Sequence, residues 1–177
     1  MLAFFALGLL ALVAFRMDRA PDVIQAGNFT IVDGDSLARG DERLRLYGID
    51  APEYRQQCQR DGAAWACGRV ARDALARLLP SGQAECRGRQ RDRYDRLLVT
   101  CKANGVDINA ELVREGMAVA FGDYQAEEAA ARTAKAGLWA GSFERPQDFR
   151  HDGGLARPRR DPLADFWDDL RRFVGWP

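Results

Sequence analysis

The 22 residues from Val32 to Glu53 read VDGDSLARGDERLRLYGIDAPE. Their pattern predicts two neighbouring strands, Phe29 to Ala38 and Arg43 to Ile49, with a loop following at Asp50 to Glu53. On them lie three carboxylates, Asp35, Asp50 and Glu53, and one arginine, Arg45. A hard divalent cation takes six to eight oxygen ligands, so two aspartates from separate strands form a protein share that water completes. Arginine carries a permanent charge on a planar fork that fits two phosphate oxygens, which lysine does not offer. The stretch therefore reads as a site for a cation and a phosphate. A second arginine is expected beside the first, and Arg96 supplies it in RDRYDRLL (residues 91–98), where a strand pattern resumes after a tight polar turn.

Outward from this stretch, further strands are expected at Gln83 to Arg91 and Leu97 to Lys102. In the last of these, Leu97, Val99 and Cys101 alternate with Leu98, Thr100 and Lys102. Ala64, Cys67, Ala71, Ala74, Leu75 and Leu78 follow helical spacing and stop before Pro80-Ser81-Gly82. Asn109 is placed to cap a second helix ending at Gly116, and Gln125 to Lys135 reads as a third ending at Gly137. There are no internal repeats. Arg87, Arg89, Arg91 and Arg93 recur at period two, which lines one strand face with charge; a solvated face and a substrate groove both fit that pattern.

The four cysteines allow three pairings. Cys86 lies seven residues before Arg93 and Cys101 seven after Tyr94, so a hairpin turning there sets these two opposite one another and leaves Cys58 with Cys67. A zinc site is the rival reading. No spacing is CxxC and the chain has one histidine, His151, which speaks against zinc and leaves a histidine-based mechanism without support.

Five segments taken together, VDGDS, RLYGIDAPE, DRYDR, NAELVREGMAVAF and ARTAKAGLWAG, resemble the staphylococcal nuclease (thermonuclease) family, over a span from about Asn28 to Arg150. The resemblance implies an α+β, mainly β fold, a five-stranded OB-fold barrel with three helices. It implies calcium-dependent cleavage of phosphodiester bonds in DNA or RNA by an endonuclease-type hydrolase acting as a monomer. Carried over to this chain, the metal ligands are Asp35, Asp50 and the backbone carbonyl of Ala51. Arg45 and Arg96 clamp the phosphate, Glu53 is the base or positions the attacking water, and Arg93, Tyr94 and Tyr124 lie on the substrate side. The chain departs from the family's pattern at Ala51, where threonine is usual, and at Asp95, where glycine is usual. Aspartate tolerates the positive φ that such a turn requires, but its charge is expected to compete with phosphate for Arg96.

Composition fits one domain with appendages: 177 residues, 47% hydrophobic, with zero formal net charge, so only the distribution of charge can favour nucleic acid. Residues 1–27 begin MLAFFALGLLALVAF and read as a secretion signal or a signal anchor giving membrane attachment, with a buried core helix a third reading. Either leading case, like the cysteines, places residues 28–150 outside the cytoplasm. Residues 151–177 form a Gly-, Pro- and Arg-rich linker and an amphipathic helix with Leu163, Phe166, Trp167, Leu170, Phe173 and Val174 on one face, suited to core docking, a membrane or a partner groove. The second functional class is a non-catalytic OB module binding nucleic acid or protein. Such a module has no reason to hold Asp35, Arg45, Asp50, Glu53 and Arg96 together.

Overall fold

Leu97, Val99, Cys101 and Ala103 are each at most 5% exposed, whereas Lys102 between them faces solvent, so this strand has one face sealed in the core. A computed structural model describes residue 8 and residues 22–80 and 82–153. Its strands are β1 (Val23–Gly27), β2 (Thr30–Ile31), β3 (Ser36–Arg39), β4 (Glu42–Leu46), β5 (Ile49–Asp50), β6 (Cys58–Arg60), β7 (Ala63–Trp65), β8 (Ala84–Arg91), β9 (Leu97–Ala103), β10 (Val106–Asp107) and β11 (Val119–Ala120). The helices are α1 (Cys67–Leu78), α2 (Ile108–Arg114), α3 (Gln125–Thr133) and α4 (Pro146–His151), with one 3-10 turn at Gly137–Ala140.

The main sheet runs β1-β8-β9-β4-β3-β2, with β10 also on β9, and curls into an open half-barrel. Only β4 and β9 pair in parallel within it. Two short ribbons, β5 with β11 and β6 with β7, lie apart. Leu37, Leu44, Leu46, Ile49, Leu97 and Val99 close the core against Ala71, Ala74 and Leu75 of α1 and Ile108, Leu112 and Val113 of α2. A second cluster gathers Val119, Leu138 and the Cys58–Cys67 disulfide, with Trp65, Trp139 and Phe143 around it.

The expected α+β, OB-fold-like architecture is present as a curled open half-barrel, and β1 adds a strand at Val23, upstream of Asn28. Several finer expectations are corrected. The strand expected over Phe29 to Ala38 is a hairpin: Val32 and Asp33 both donate their N–H to the Ser36 carbonyl, at 2.9 and 3.1 Å, so VDGDS is a turn between β2 and β3. The strand expected over Arg43 to Ile49 breaks at Tyr47-Gly48, where Gly48 has φ +75°, so that β5 leaves the main sheet for β11. Asn109 does not cap α2. Asp107 does, accepting from the Ala110 N–H at 3.0 Å, while buried Asn109 accepts from Cys101 N–H and donates to the carbonyls of Tyr47 and Val99, stitching α2 to β9 and the β4–β5 turn. A fourth helix, α4, follows the three expected ones.

Cys86 pairs with Cys101 in the β8–β9 register, and the disulfides join Cys86 to Cys101 and Cys58 to Cys67, as the hairpin argument required. The same hairpin carries a bulge: Arg87 opposes Thr100 but Gln90 opposes Leu98, leaving Gly88 and Arg89 against the single Val99. A Cβ on Gly88 would stand 2.0 Å from the Leu98 carbonyl oxygen, so only glycine passes this close. The bulge breaks the arginine stripe. Arg87 shares the outer face with Thr100, whereas Arg91 falls on the other face and forks onto Glu42 at 2.8 and 3.0 Å. Apart from Gly8, the apolar segment over residues 1–15 lies outside the described residues, as does the amphipathic stripe from Leu163 to Val174.

Candidate active site

Arg45 stands on β4 opposite Ser36 on β3, next to the tip of the VDGDS turn, and this register decides its partners. Its guanidinium donates to Asp35 Oδ1 at 2.9 Å and to Asp50 Oδ1 at 2.7 Å, joining a residue of the turn to the end of β5. Asp35 and Asp50 are 4% and 2% exposed. Asp35 also accepts from the Ala51 N–H at 3.1 Å and from the Ser36 hydroxyl at 2.9 Å. Even so, burial pushes the Asp35 carboxyl above its ordinary range, with Asp50 adding to the effect, against the opposing pull of Arg45. Asp33, at the start of the same turn, is pushed up to about 6, chiefly by burial and further by Asp35 and Glu53. Burial is the main force on both carboxyls, and the cleft that holds them is lined by arginines as well as acids.

Glu53 follows Asp50 across Ala51-Pro52, and its backbone N–H is tied to Gln56 Oε1 at 3.1 Å. Gln56 is fully buried and donates to the Glu144 carbonyl at 2.7 Å, which anchors the Glu53 loop to the chain entering α4. Gly68 at the start of α1 lets this loop pack closely: a Cβ there would lie 1.7 Å from the Glu53 carbonyl oxygen. From α4, Arg150 reaches Asp50 Oδ2 at 3.0 Å and Glu53 Oε1 at 2.9 Å. Burial opposes the charge on Arg150, but its bonds to Asp50 and Glu53 outweigh that and raise its pKa.

Across the cleft, the turn Asp92–Arg96 joins β8 to β9. Arg43 on β4 holds the turn by donating to the Tyr94 carbonyl at 2.7 Å. The guanidinium of Arg96 lies 5.4 Å from the Tyr94 ring centroid and that of Arg93 4.8 Å. Asp95 does adopt φ +62°, as a glycine-replacing aspartate should. Its expected competition for Arg96 is corrected: the carboxylate lies 3.6 Å from Arg91 and is 81% exposed, and the residue that grips Arg96 is Asp92.

Asp33, Asp35, Arg45, Glu53, Arg93, Tyr94, Arg96, Phe121, Arg150 and His151 all line one open cleft of about 950 Å³. Tyr124 does not line it. It is the N-cap of α3, packs half-buried against the core, and has its hydroxyl pushed up to about 12, first by burial and then by Asp107. Besides Tyr94, an exposed aromatic ring at the cleft is Phe121. A separate groove of about 670 Å³ lies on the outer face of β8 and β9, where Arg87 is paired to Glu85.

A family model described as Staphylococcal nuclease homologue matches residues 43–141, more than half of the chain. The chain belongs to that family. Among its relatives, the Succinoglycan biosynthesis protein ExoI of Rhizobium meliloti is 36% identical over 121 residues, covering 64% of this chain and 63% of that protein. An Uncharacterized endonuclease of Haemophilus influenzae is 33% identical over 122 residues, 62% of this chain and 63% of the other. The Probable staphylococcal-like nuclease CAN3 of Oryza sativa subsp. japonica is 31% identical over 132 residues, 71% of this chain but 32% of its own length. The chain thus spans between about a third and somewhat under two thirds of these curated relatives.

Within this family frame, Asp33, Arg43, Gln56, Phe121 and Arg150 enter the cleft or its support without a role in the sequence reading. Asp33 was visible in VDGDS. The others take their place from pairings distant in sequence, such as Arg150 with Asp50, 100 residues apart.

Proposed function

We propose that this chain is a calcium-dependent nuclease hydrolysing phosphodiester bonds in DNA or RNA. The observation that carries the reading is Arg45, held between two buried aspartates from separate elements and within one cleft with Glu53, Arg96 and Tyr94. A non-catalytic OB module would gain nothing from burying two carboxylates at that cost.

The donors suit a hard cation. Among the described residues, no group of three acidic, histidine or cysteine side chains is placed to hold a metal, so the protein share is small: Asp35, Asp50 and the Ala51 carbonyl, completed by water. A divalent ion bound there would favour the charged forms of Asp35 and Asp33 against the burial that raises them. Once bound, the ion supplies charge stabilisation for the phosphate oxygens. Arg45 and Arg96 grip the phosphate and meet the charge that grows on it, Glu53 orients the attacking water and takes its proton, and Tyr94 offers a ring beside Arg93 and Arg96. The two disulfides support action in an oxidising, extracytoplasmic setting. Among the described residues no helix is long and apolar enough to cross a membrane.

Incubating the protein with DNA and with RNA, in calcium and in excess chelator, tests the reading. Cleavage confined to the calcium samples supports it. Binding without cleavage in both would identify the non-catalytic module.

A further inference from the structure

Arg150 lies beyond residues 43–141 and on a six-residue helix with no direct place in the main sheet, yet its side chain ends on the two carboxylates nearest the proposed chemistry. We infer that Arg150 is a positioning residue of the site: its fork holds the Asp50 and Glu53 carboxylates in one arrangement and sets the negative charge that an incoming divalent cation meets. The inference rests on the proposed nuclease reading for its effect on turnover and on geometry alone for its effect on charge.

Three observations converge on it. The contacts are specific: Nη1 lies 2.9 Å from Glu53 Oε1 and 3.0 Å from Asp50 Oδ1, and Nη2 lies 3.0 Å from Asp50 Oδ2, a fork spanning two carboxylates that a single ammonium cannot copy. The helix that presents it is fixed, because Phe149 is 8% exposed and Gln56 clamps the preceding Glu144 carbonyl to the Glu53 loop. The charge arrangement is also distinctive. Arg45 satisfies Asp35 and Asp50 from within the sheet, so among the described residues Arg150 is the cation that joins Glu53 to the aspartate pair, with Asp33 as its acidic neighbour.

A cation so placed has two opposed effects. It repels a divalent ion approaching Asp50, yet it keeps Glu53 aimed. Removing it should tighten calcium binding while slowing turnover, a combination that general loosening of the fold does not produce. Calcium titration calorimetry on the wild-type protein, Arg150→Gln and Arg150→Lys, alongside steady-state cleavage of single-stranded DNA, separates these effects. In Arg150→Gln we expect calcium to bind about three- to tenfold more tightly, as loss of one nearby charge in a partly solvated site implies. kcat should fall about tenfold or more, a fraction of what a positioned base contributes, with KM within about threefold. Arg150→Lys should restore calcium affinity to within about twofold of wild type and recover turnover only in part. If Arg150→Gln does not fold, the lysine variant decides by the same two readouts. Weaker or unchanged calcium binding in Arg150→Gln would overturn the inference, as would a raised KM at constant kcat, which would make Arg150 a substrate contact. A wild-type protein that binds calcium but cleaves neither DNA nor RNA would sink the nuclease reading while the calorimetry still judges Arg150.

Discussion

Asp92 grips Arg96 from both ends of its own turn: its Oδ2 accepts from Nε at 2.8 Å and lies 2.6 Å from Nη2, while its Oδ1 accepts the backbone N–H of Arg96 at 3.0 Å and of Tyr94 at 2.9 Å. Burial pushes this carboxyl up, but the Arg96 side chain and the two backbone donors together hold it below the ordinary 3.8. A carboxylate with a lowered pKa lends stability above its unfolded value and loses it as pH falls through the folded one. Asp92→Asn should therefore lower stability by about 1–2 kcal/mol at neutral pH, the worth of a charge-assisted hydrogen bond. The gap in melting temperature between variant and wild type should close below pH 3.8. Turnover should fall about tenfold as Arg96 loses its aim, since small misplacements near the chemistry are costly.

Arg45 and Arg96 flank the cleft from opposite sides, one bound to two aspartates and the other to Asp92. Either changed to lysine keeps its charge and loses its fork. Each variant should lose on the order of 10² in kcat, by analogy with removal of one preorganised donor. Steady-state kinetics on a defined oligonucleotide checks this, and a near-wild-type rate for either would remove that arginine from the phosphate clamp.

The Glu53 backbone is anchored to Gln56, and its side chain meets Arg150 and Asp33 while staying about a third exposed to the cleft. Glu53→Gln should slow cleavage by about 10² to 10⁴, the range for a positioned base. Binding of a nucleotide bisphosphate, followed by calorimetry, should change by less than about threefold. A parallel collapse of binding and turnover would reassign Glu53 as a ligand or structural residue.

The parts of this molecule legible in its sequence are those governed by local pattern. Alternation in Leu97 to Lys102 reads out as the buried face of β9, and equal spacing of Cys86 and Cys101 about the Arg93-Tyr94 turn places them in register. The pairs next to the turn, Arg91 with Leu97 and Gln90 with Leu98, are one residue out from a two-residue turn at Arg93-Tyr94. The bulge at Gly88-Arg89 restores that register at Arg87 and Cys86. It also defeats the arginine stripe, because a single inserted residue exchanges the faces of everything beyond it. VDGDS misleads in another way. The expected strand runs through it, yet Asp33-Gly34 has turn chemistry and the backbone follows that. Asn109 has the composition of a cap but serves as an interior bridge, since three backbone groups of β9 and the β4–β5 turn need partners there. Arg150 was beyond reach from sequence, because nothing local links an arginine after Phe149 to an aspartate 100 residues earlier.

The disulfides join cysteines nine positions apart, Cys58 and Cys67, and fifteen apart, Cys86 and Cys101. Each should contribute roughly 2–4 kcal/mol by restricting the unfolded chain. Thermal unfolding in reductant should show a lower melting temperature than in its absence. The Cys58–Cys67 bond ties the ribbon after the Glu53 loop to the start of α1, so a Cys58→Ser, Cys67→Ser double variant should also lose turnover, whereas equal activity would show that the loop is held by Gln56 alone.

Asp35 tests the account most directly, because burial has raised its pKa and the reading makes it a cation ligand. A group so raised adds stability below its unfolded pKa and loses it as pH rises through the folded value, so in chelator at neutral pH Asp35→Asn should match or exceed the wild-type melting temperature. The deciding measurement is a calcium titration of DNA hydrolysis by wild type and Asp35→Asn. The account predicts saturable activation of the wild type, no activity in chelator, and at least a hundredfold loss in a folded, stable Asp35→Asn at every calcium concentration, of the size set by losing a charge-stabilising group. Hydrolysis by the wild type in excess chelator, or calcium activation that persists in Asp35→Asn, would contradict it.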